Sequence, residues 1–177
     1  AVGAGVASLK PGDRVFGVCP FLRNGAHAEY VCVPQGASIA AMPANISFDE
    51  AVVCEGALYA NSGLKKFDVG PQHKILIYGA SGAIGSAAVQ LAKARGAEVT
   101  AVVATPHLER IKSLGADRVI DYTAEDISRI DERFDFVFEA VGKVSYARCR
   151  RLLKPDGKFI ATDIGPGGAY VLPLICS

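Results

Sequence analysis

Lys74-Ile-Leu-Ile-Tyr78 followed by Gly79-Ala80-Ser81-Gly82-Ala83-Ile84-Gly85 decides the fold. A short, β-rich apolar run ends in three glycines at a spacing of three, and Ser86 to Arg95 then reads as a helix. Strand, glycine turn and helix in that order form the phosphate cradle of a dinucleotide-binding unit. The glycines have separable tasks: one makes the tight turn, one lets backbone approach a pyrophosphate, and one lets the helix pack closely on the sheet. The helix then aims its unpaired N–H groups and positive dipole end at the phosphates.

Downstream, strand and helix signals alternate. Glu98 to Ala104 reads as a buried strand, and Thr105-Pro106 opens a helix with a capping hydroxyl and an early proline. That helix stops near Gly115, and Arg118 to Tyr122 is a third strand. A weakly helical crossover over 124–133 leads to a fourth strand over 134–141; a helix over 145–153 and a fifth strand over 157–162 follow. The alternation predicts an α/β fold, a Rossmann doubly wound parallel sheet. The tail from Gly165 ends before a sixth strand is evident.

Upstream, the signals are those of short strands and turns. Lys10-Pro-Gly-Asp13 is a turn, and strands are expected over 14–18, over 28–33 and, shorter, over 38–42. Ser47 and Glu50 make a capping box for a helix running to about Phe67, with Gly63 as its weak point. The expected organisation is a partial β segment over 1–46, a linking helix and loop over 47–73, and the nucleotide-binding domain over 74–177.

Composition narrows the function classes. A chain of 177 residues with 50% hydrophobic content can bury a real core. Its 19 basic and 18 acidic residues nearly cancel and form no basic run, which argues against nucleic acid and anionic membrane as partners. No apolar stretch approaches the roughly 18 residues of a membrane span, and the N-terminus lacks the basic leader of a secretory signal. The five cysteines are scattered, without a C-x-x-C pair, so a reducing cytoplasm is the expected compartment.

Several stretches, taken in order, resemble the medium-chain dehydrogenase/reductase superfamily, in its zinc-independent quinone oxidoreductase-like branch. They are Lys10-Pro-Gly-Asp-Arg-Val-Phe-Gly17, Ala28-Glu-Tyr-Val31, the 79–85 glycine motif, Ala87-Ala-Val-Gln-Leu-Ala-Lys93, Leu114-Gly-Ala-Asp117 with Val119-Ile-Asp-Tyr122, and Leu153-Lys-Pro-Asp-Gly157. The resemblance runs over nearly the whole chain. It implies a GroES-like β domain before the Rossmann domain, of which this sequence would hold only a part, beginning inside the first domain and stopping inside the second. It also suggests dimers.

The cofactor is read at the tip of the second strand of the nucleotide domain. NAD-preferring domains place an acid about 20 residues past the glycines, on the ribose hydroxyl; here Ala104 and Thr105 stand at the tip. Glu98 begins that strand, about 20 Å away at the rise of an extended chain, and is out of reach. Thr105, His107, Arg110 and Tyr122 offer donors and positive charge that suit a 2′-phosphate. The resemblance points the same way, because the matching Tyr of this branch helps hold that phosphate. Thr105 reads equally as a helix cap, and Arg110 as a solvated helix residue. NADPH is expected over NADH. Ala140, Val141 and Gly142 close the fourth strand at the edge where such sheets bind ligands, and the resemblance implies that their backbone touches the cofactor.

No zinc is expected. Cys19 and His27 lie in no zinc signature, His73 reads as a surface residue, and Cys54 lacks a basic neighbour that would activate it. Tyr59 departs from the family's commoner Thr near the nicotinamide, and is the one weak catalytic candidate: a phenol there either donates to cofactor or substrate or fills helix packing. The expected activity is hydride transfer from NADPH to a small quinone, enone or similar conjugated carbonyl. The alternatives are an alcohol dehydrogenase-like member, a non-catalytic NADPH-binding protein, or an enoyl-reductase module of a larger enzyme.

Overall fold

A computed structural model describes residues 1–19 and 27–162; the tail from Gly165, with Cys176, lies outside them. The chain divides into two compact units, Ala1–Glu55 and Gly56–Ser177.

In the first unit, β1 (Val15–Gly17) pairs antiparallel with β2 (Ile39–Ala41), Phe16 standing opposite Ala40. The Lys10–Asp13 turn forms as its residues demand, the Asp13 carboxylate accepting from the Lys10 N–H at 2.9 Å. The strand expected over 28–33 does not form: Tyr30 and Val31 are exposed. Alternating side chains give a strand its faces, but its backbone groups still need a neighbouring strand to pair with. Helix α1 (Phe48–Val52) carries the full capping box, Ser47 accepting from the Glu50 N–H and Glu50 reaching back to the Ser47 N–H.

The single helix expected from Ser47 to Phe67 is two. α1 closes at Val53, and α2 (Cys54–Lys66) starts afresh. Gly63, read as a weak point, is a packing site: a Cβ there would lie 3.0 Å from both Phe138 Cε2 and Ile160 Cγ2. The missing side chain brings α2 close to the sheet, and this contact outweighs glycine's poor helix propensity.

That sheet has five parallel strands: β3 (Lys74–Tyr78), β4 (Glu98–Val103), β5 (Arg118–Asp121), β6 (Phe134–Glu139) and β7 (Leu153–Ala161), in the order β5-β4-β3-β6-β7. Chain order therefore reverses direction between β3 and β6, which makes their carboxyl ends the switch point where ligands of open α/β sheets bind. Both faces are covered, so β3 and β4 read as continuous apolar runs. Ile75 and Ile77 of β3 join Val99, Ala101 and Val103 of β4 on one face. There they meet Leu64 of α2, Ala88, Val89 and Ala92 of α3 (Ala83–Ala94), and Ile111 of α4 (Leu108–Ser113). Leu76, Val102, Ile120 and Val137 face the other way, onto Ile127, Leu152 and Cys149 of α5 (Tyr146–Cys149).

The 124–133 crossover holds a 3₁₀ turn at Ile127–Arg129 rather than a longer helix. Asp117 and Asp135 secure the amino edge, accepting from the Val99 and Lys74 N–H groups at 2.7 Å each. No helix among the described residues is long and apolar enough to cross a membrane.

Candidate cofactor site

Each glycine of the 79–85 turn has a distinct geometric reason. Gly79 sits at φ +76°, and a Cβ there would come within 2.5 Å of Val141 Cγ1; glycine at this point both makes the turn and lets the β6 end close on it. A Cβ at Gly85 would lie 2.2 Å from the Gly79 carbonyl oxygen and 2.7 Å from Ala80 Cα, so Gly85 seats α3 on the strand end. Gly82 is different: a Cβ would meet nothing nearer than the Gly79 oxygen at 3.7 Å. A methyl would sit there in ordinary contact, so neither packing nor the extended backbone requires glycine at this position.

Gly82 stands directly before α3. It is the N-cap and supplies no capping side chain, so the first-turn N–H groups over Ala83, Ile84 and Gly85 have no partner from a cap. In the same chain α1 is capped twice over. An uncapped N-terminus of a 12-residue helix with a glycine before it is a fitting seat for an anion such as a pyrophosphate. The turn is held by Gly79 and Ala80, whose N–H groups both donate to the Val102 carbonyl at 3.1 and 3.3 Å, leaving Ser81 at its crest.

The tip of β4 differs from its sequence reading. Thr105 does not cap a helix. It begins a 3₁₀ turn (Thr105–His107) whose N-cap is Ala104, and its hydroxyl is held by the Asp121 carboxylate and by Thr123, 3.0 Å away. Asp121 also accepts from the Thr123 N–H and hydroxyl at 2.9 and 2.6 Å. These hydroxyl bonds, first that of Thr105, hold its carboxyl below the usual range. An acid absent from the β4 tip is thus supplied by β5, next to Tyr122. The fold's usual position for that acid is the end of β4, and the sequence pattern alone does not show that β5 brings Asp121 beside it. Glu98 lies at the far edge, paired with Lys74 at 3.1 Å.

Arg110 is not merely solvated. Its guanidinium donates to the Ser81 carbonyl at 2.6 Å, bringing α4 against the glycine turn. His107 is half-buried in the intervening turn. Tyr122, 49% exposed, lies with its ring 6.1 Å from that of Tyr78; burial, then the neighbouring Tyr122, raises the Tyr78 hydroxyl's pKa. The other side of the switch point holds Ala140, Val141 and Gly142. Val141 is 41% exposed yet abuts Gly79, and Gly142 turns at φ +68°. Directly before them stands Glu139, fully buried, its carboxylate accepting from the Gly142 and Lys143 N–H groups. In the sequence Glu139 is only the last-but-two residue of the strand expected over 134–141; the signal that marks it is an acid ending an apolar run.

The remaining candidates lie apart. Tyr59 on α2 is 43% exposed. His73 is half-buried rather than superficial: its Nδ1 accepts from the Gly70 N–H at 3.1 Å and its ring meets Phe136 edge-on at 5.0 Å. Cys19, Cys32, Cys54 and Cys149 are free thiols. Among the described residues no group of three or more His, Cys, Asp and Glu side chains is placed to hold a metal ion.

Residues 83–174 match the family described as zinc-binding dehydrogenase. The chain is 38% identical over 151 residues to a 2-methylene-furan-3-one reductase of Solanum lycopersicum, covering 80% of this chain and 39% of that protein. It is 36% identical over 172 residues to a chloroplastic NADPH-dependent alkenal/one oxidoreductase of Arabidopsis thaliana, covering 90% of this chain and 43% of that one. The crystal structure of a quinone oxidoreductase from Pseudomonas syringae pv. Tomato DC3000 superposes with a TM-score of 0.81 at 30% identity, over 99% of this chain and 57% of that one. The chain thus spans less than half the length of those two curated relatives.

Proposed function

This chain belongs to the medium-chain dehydrogenase/reductase superfamily, in its quinone oxidoreductase-like branch, and from that premise we propose that it binds NADPH and serves hydride transfer to a quinone, enone or related conjugated carbonyl. The single observation carrying the cofactor reading is the uncapped N-terminus of α3 behind Gly82, a glycine that neither packing nor backbone requires. When bound, the reduced nicotinamide supplies the hydride, and a solvent proton completes reduction of the acceptor. The residues of this chain bind and orient. The α3 N-terminus takes the pyrophosphate, Arg110 braces the glycine crest through Ser81, and the 140–142 turn walls the other side of the switch point.

The choice of NADPH rests on Arg110, His107 and Tyr122 around the β4 and β5 tips, with positive charge and donors for a 2′-phosphate. It is also in keeping with the name of the Arabidopsis relative. Asp121 opposes it: a carboxylate close to that position repels a phosphate dianion. The expected preference is therefore real but modest. A reducing compartment suits four free cysteines, and the chloroplastic relative widens the choice beyond the cytoplasm.

The test is a fluorescence titration with NADPH and, separately, NADH, followed by NADPH oxidation with a quinone or enone added. Tighter binding of NADPH and acceptor-dependent oxidation support the reading. NADH binding as well or better overturns the phosphate assignment. Binding without turnover on any acceptor of these classes turns the assignment to a non-catalytic NADPH-binding role.

A further inference from the structure

Glu139 is a buried charge that the binding reading has not used. It ends β6 at the carboxyl edge of the sheet, completely shielded from solvent. One carboxylate oxygen accepts from the Gly142 N–H at 2.7 Å and the other from the Lys143 N–H at 3.0 Å. Its own carbonyl accepts from the Thr162 N–H at 3.2 Å, and the next residue, Ala140, donates to the Tyr78 carbonyl at 3.1 Å. The side chain therefore clasps a short turn whose root is fixed to strands on both sides.

An acid is a costly choice for that task, since a carboxylate withdrawn from water must be met by strong donors. It is met by two backbone N–H groups, one per oxygen, the arrangement in which a charge-assisted bond is strongest. Peptide planarity carries the effect outward. With the N–H groups of residues 142 and 143 turned in toward Glu139, the carbonyls of Val141 and Gly142 point away from it. Gly142 permits this at φ +68°, and Val141 is thereby held against Gly79.

We propose that Glu139 is a positioning residue for the nicotinamide half of the cofactor, a role that rests on the dinucleotide reading above. It acts through the 140–143 turn, whose outward carbonyls are acceptors for the hydroxyls of the second ribose. The sheet order separates the halves: β4 and β5 lie on one side of β3, with the phosphate-binding candidates, while β6 lies on the other. A dinucleotide laid across the switch point puts its second half at β6.

The experiment compares two ligands on one protein. Adenosine 2′,5′-bisphosphate reports the adenine half alone, and NADPH reports both halves. In Glu139→Gln the amide places an NH2 against one of the two N–H groups. Affinity for the bisphosphate should stay within about twofold of wild type, while NADPH binding weakens up to about tenfold, as for loss of one neutral hydrogen bond from a ribose hydroxyl to the displaced turn. A merely structural role would not change that ratio. Val89→Ala, which hollows the core beneath α3, provides the control: a lower unfolding midpoint with an unchanged ratio. Should Glu139→Gln fail to fold, Gly142→Ala strains the same turn at its positive φ and carries the same expected ratio. If wild type binds both ligands and the variant keeps their ratio, or weakens both equally, the role of Glu139 is overturned while the dinucleotide reading stands. If wild type binds neither of these nor NADH, the dinucleotide reading fails and this proposal with it; if it binds NADH alone, the same comparison is run with AMP and NADH.

Discussion

Replacing Gly82 and Gly85 by alanine, one at a time, separates the space kept for a ligand from the space needed by the fold. At Gly82 the backbone is extended (φ −77°, ψ 174°), a conformation alanine adopts freely, and its methyl would lie 3.7 Å from the nearest atom. Losing a glycine cap in favour of alanine costs about 0.5 kcal/mol. The stiffer unfolded chain returns about as much, so stability should stay within roughly 1 kcal/mol of wild type. The methyl does enter the space before α3. If it displaces the pyrophosphate enough to break one charge-assisted bond, the loss is about 1.5–3 kcal/mol, or roughly 10- to 150-fold in NADPH affinity.

Gly85→Ala behaves in the opposite way. Its methyl would fall 2.2 Å from the Gly79 oxygen and 2.7 Å from Ala80 Cα, both backbone atoms. Neither can rotate aside, so strand end and helix must part. Overpacking of this kind costs about 1–3 kcal/mol, a drop of roughly 2–12 °C in unfolding midpoint for a chain of this size. Thermal unfolding by circular dichroism and NADPH fluorescence titration read the two effects separately. Wild-type NADPH affinity in Gly82→Ala would refute the cradle, leaving α3 merely uncapped. Wild-type stability in Gly85→Ala would refute the close seating of helix on strand.

Three further outcomes follow from the same geometry. Asp121→Asn removes the carboxylate beside Thr105 and Tyr122, and should raise the NADPH-to-NADH affinity ratio about three- to tenfold, read by paired titrations; an unchanged or lower ratio removes Asp121 from the specificity pocket. Burial, then the charge of Glu139, raises the Cys149 thiol to about 12, so only about one thiol in ten thousand is thiolate at pH 8. Iodoacetamide should leave Cys149 unlabelled in the native protein while the exposed Cys32 reacts, as peptide mass spectrometry would show. At the amino edge, burial raises the Asp117 carboxyl's pKa, but Lys93 and the Val99 N–H outweigh it and the net shift is downward. Asp117 therefore contributes stability above about pH 4, lost as pH falls through its lowered folded value. Asp117→Asn should cost about 1 kcal/mol near neutrality, flatten the acid limb of the unfolding curve, and leave NADPH affinity untouched.

The elements that sequence made legible are those whose signal is local. The apolar run Lys74–Tyr78 reads as a strand because both its faces are covered, and the glycine turn is legible because its three glycines fall within seven residues at a fixed spacing of three, directly after that strand. The Ser47–Glu50 capping box spans three residues and forms as read. Elements went astray where the deciding partner is distant. The alternation over 28–33 says which way side chains would point but cannot supply a pairing strand. Gly63 is a poor helix former by propensity, and its value emerges only when Phe138 and Ile160 arrive from strands some 75 to 100 residues away.

The site shows the same division at finer grain. Thr105 before Pro106 is a sound helix-start signal, and the proline does open a helical turn. What the local signal cannot rank is a competing acceptor: Asp121 arrives beside the hydroxyl only because Val103 and Asp121 fall in register on neighbouring parallel strands. Once β4 and β5 pair, a charged acceptor outcompetes the neutral backbone for that hydroxyl. The same pairing that assembles the proposed phosphate pocket therefore also delivers an acid into it. Glu139 follows a related logic on the other side of the switch point, where a carboxylate in an apolar strand is tolerated because the turn after it folds back and offers two N–H groups. In both places a strand end carries an acid whose partners exist only after the sheet has formed. In the proposed cofactor site Asp121 meets Thr105 only through pairing between strands distant in sequence, whereas the glycine spacing is written within seven residues.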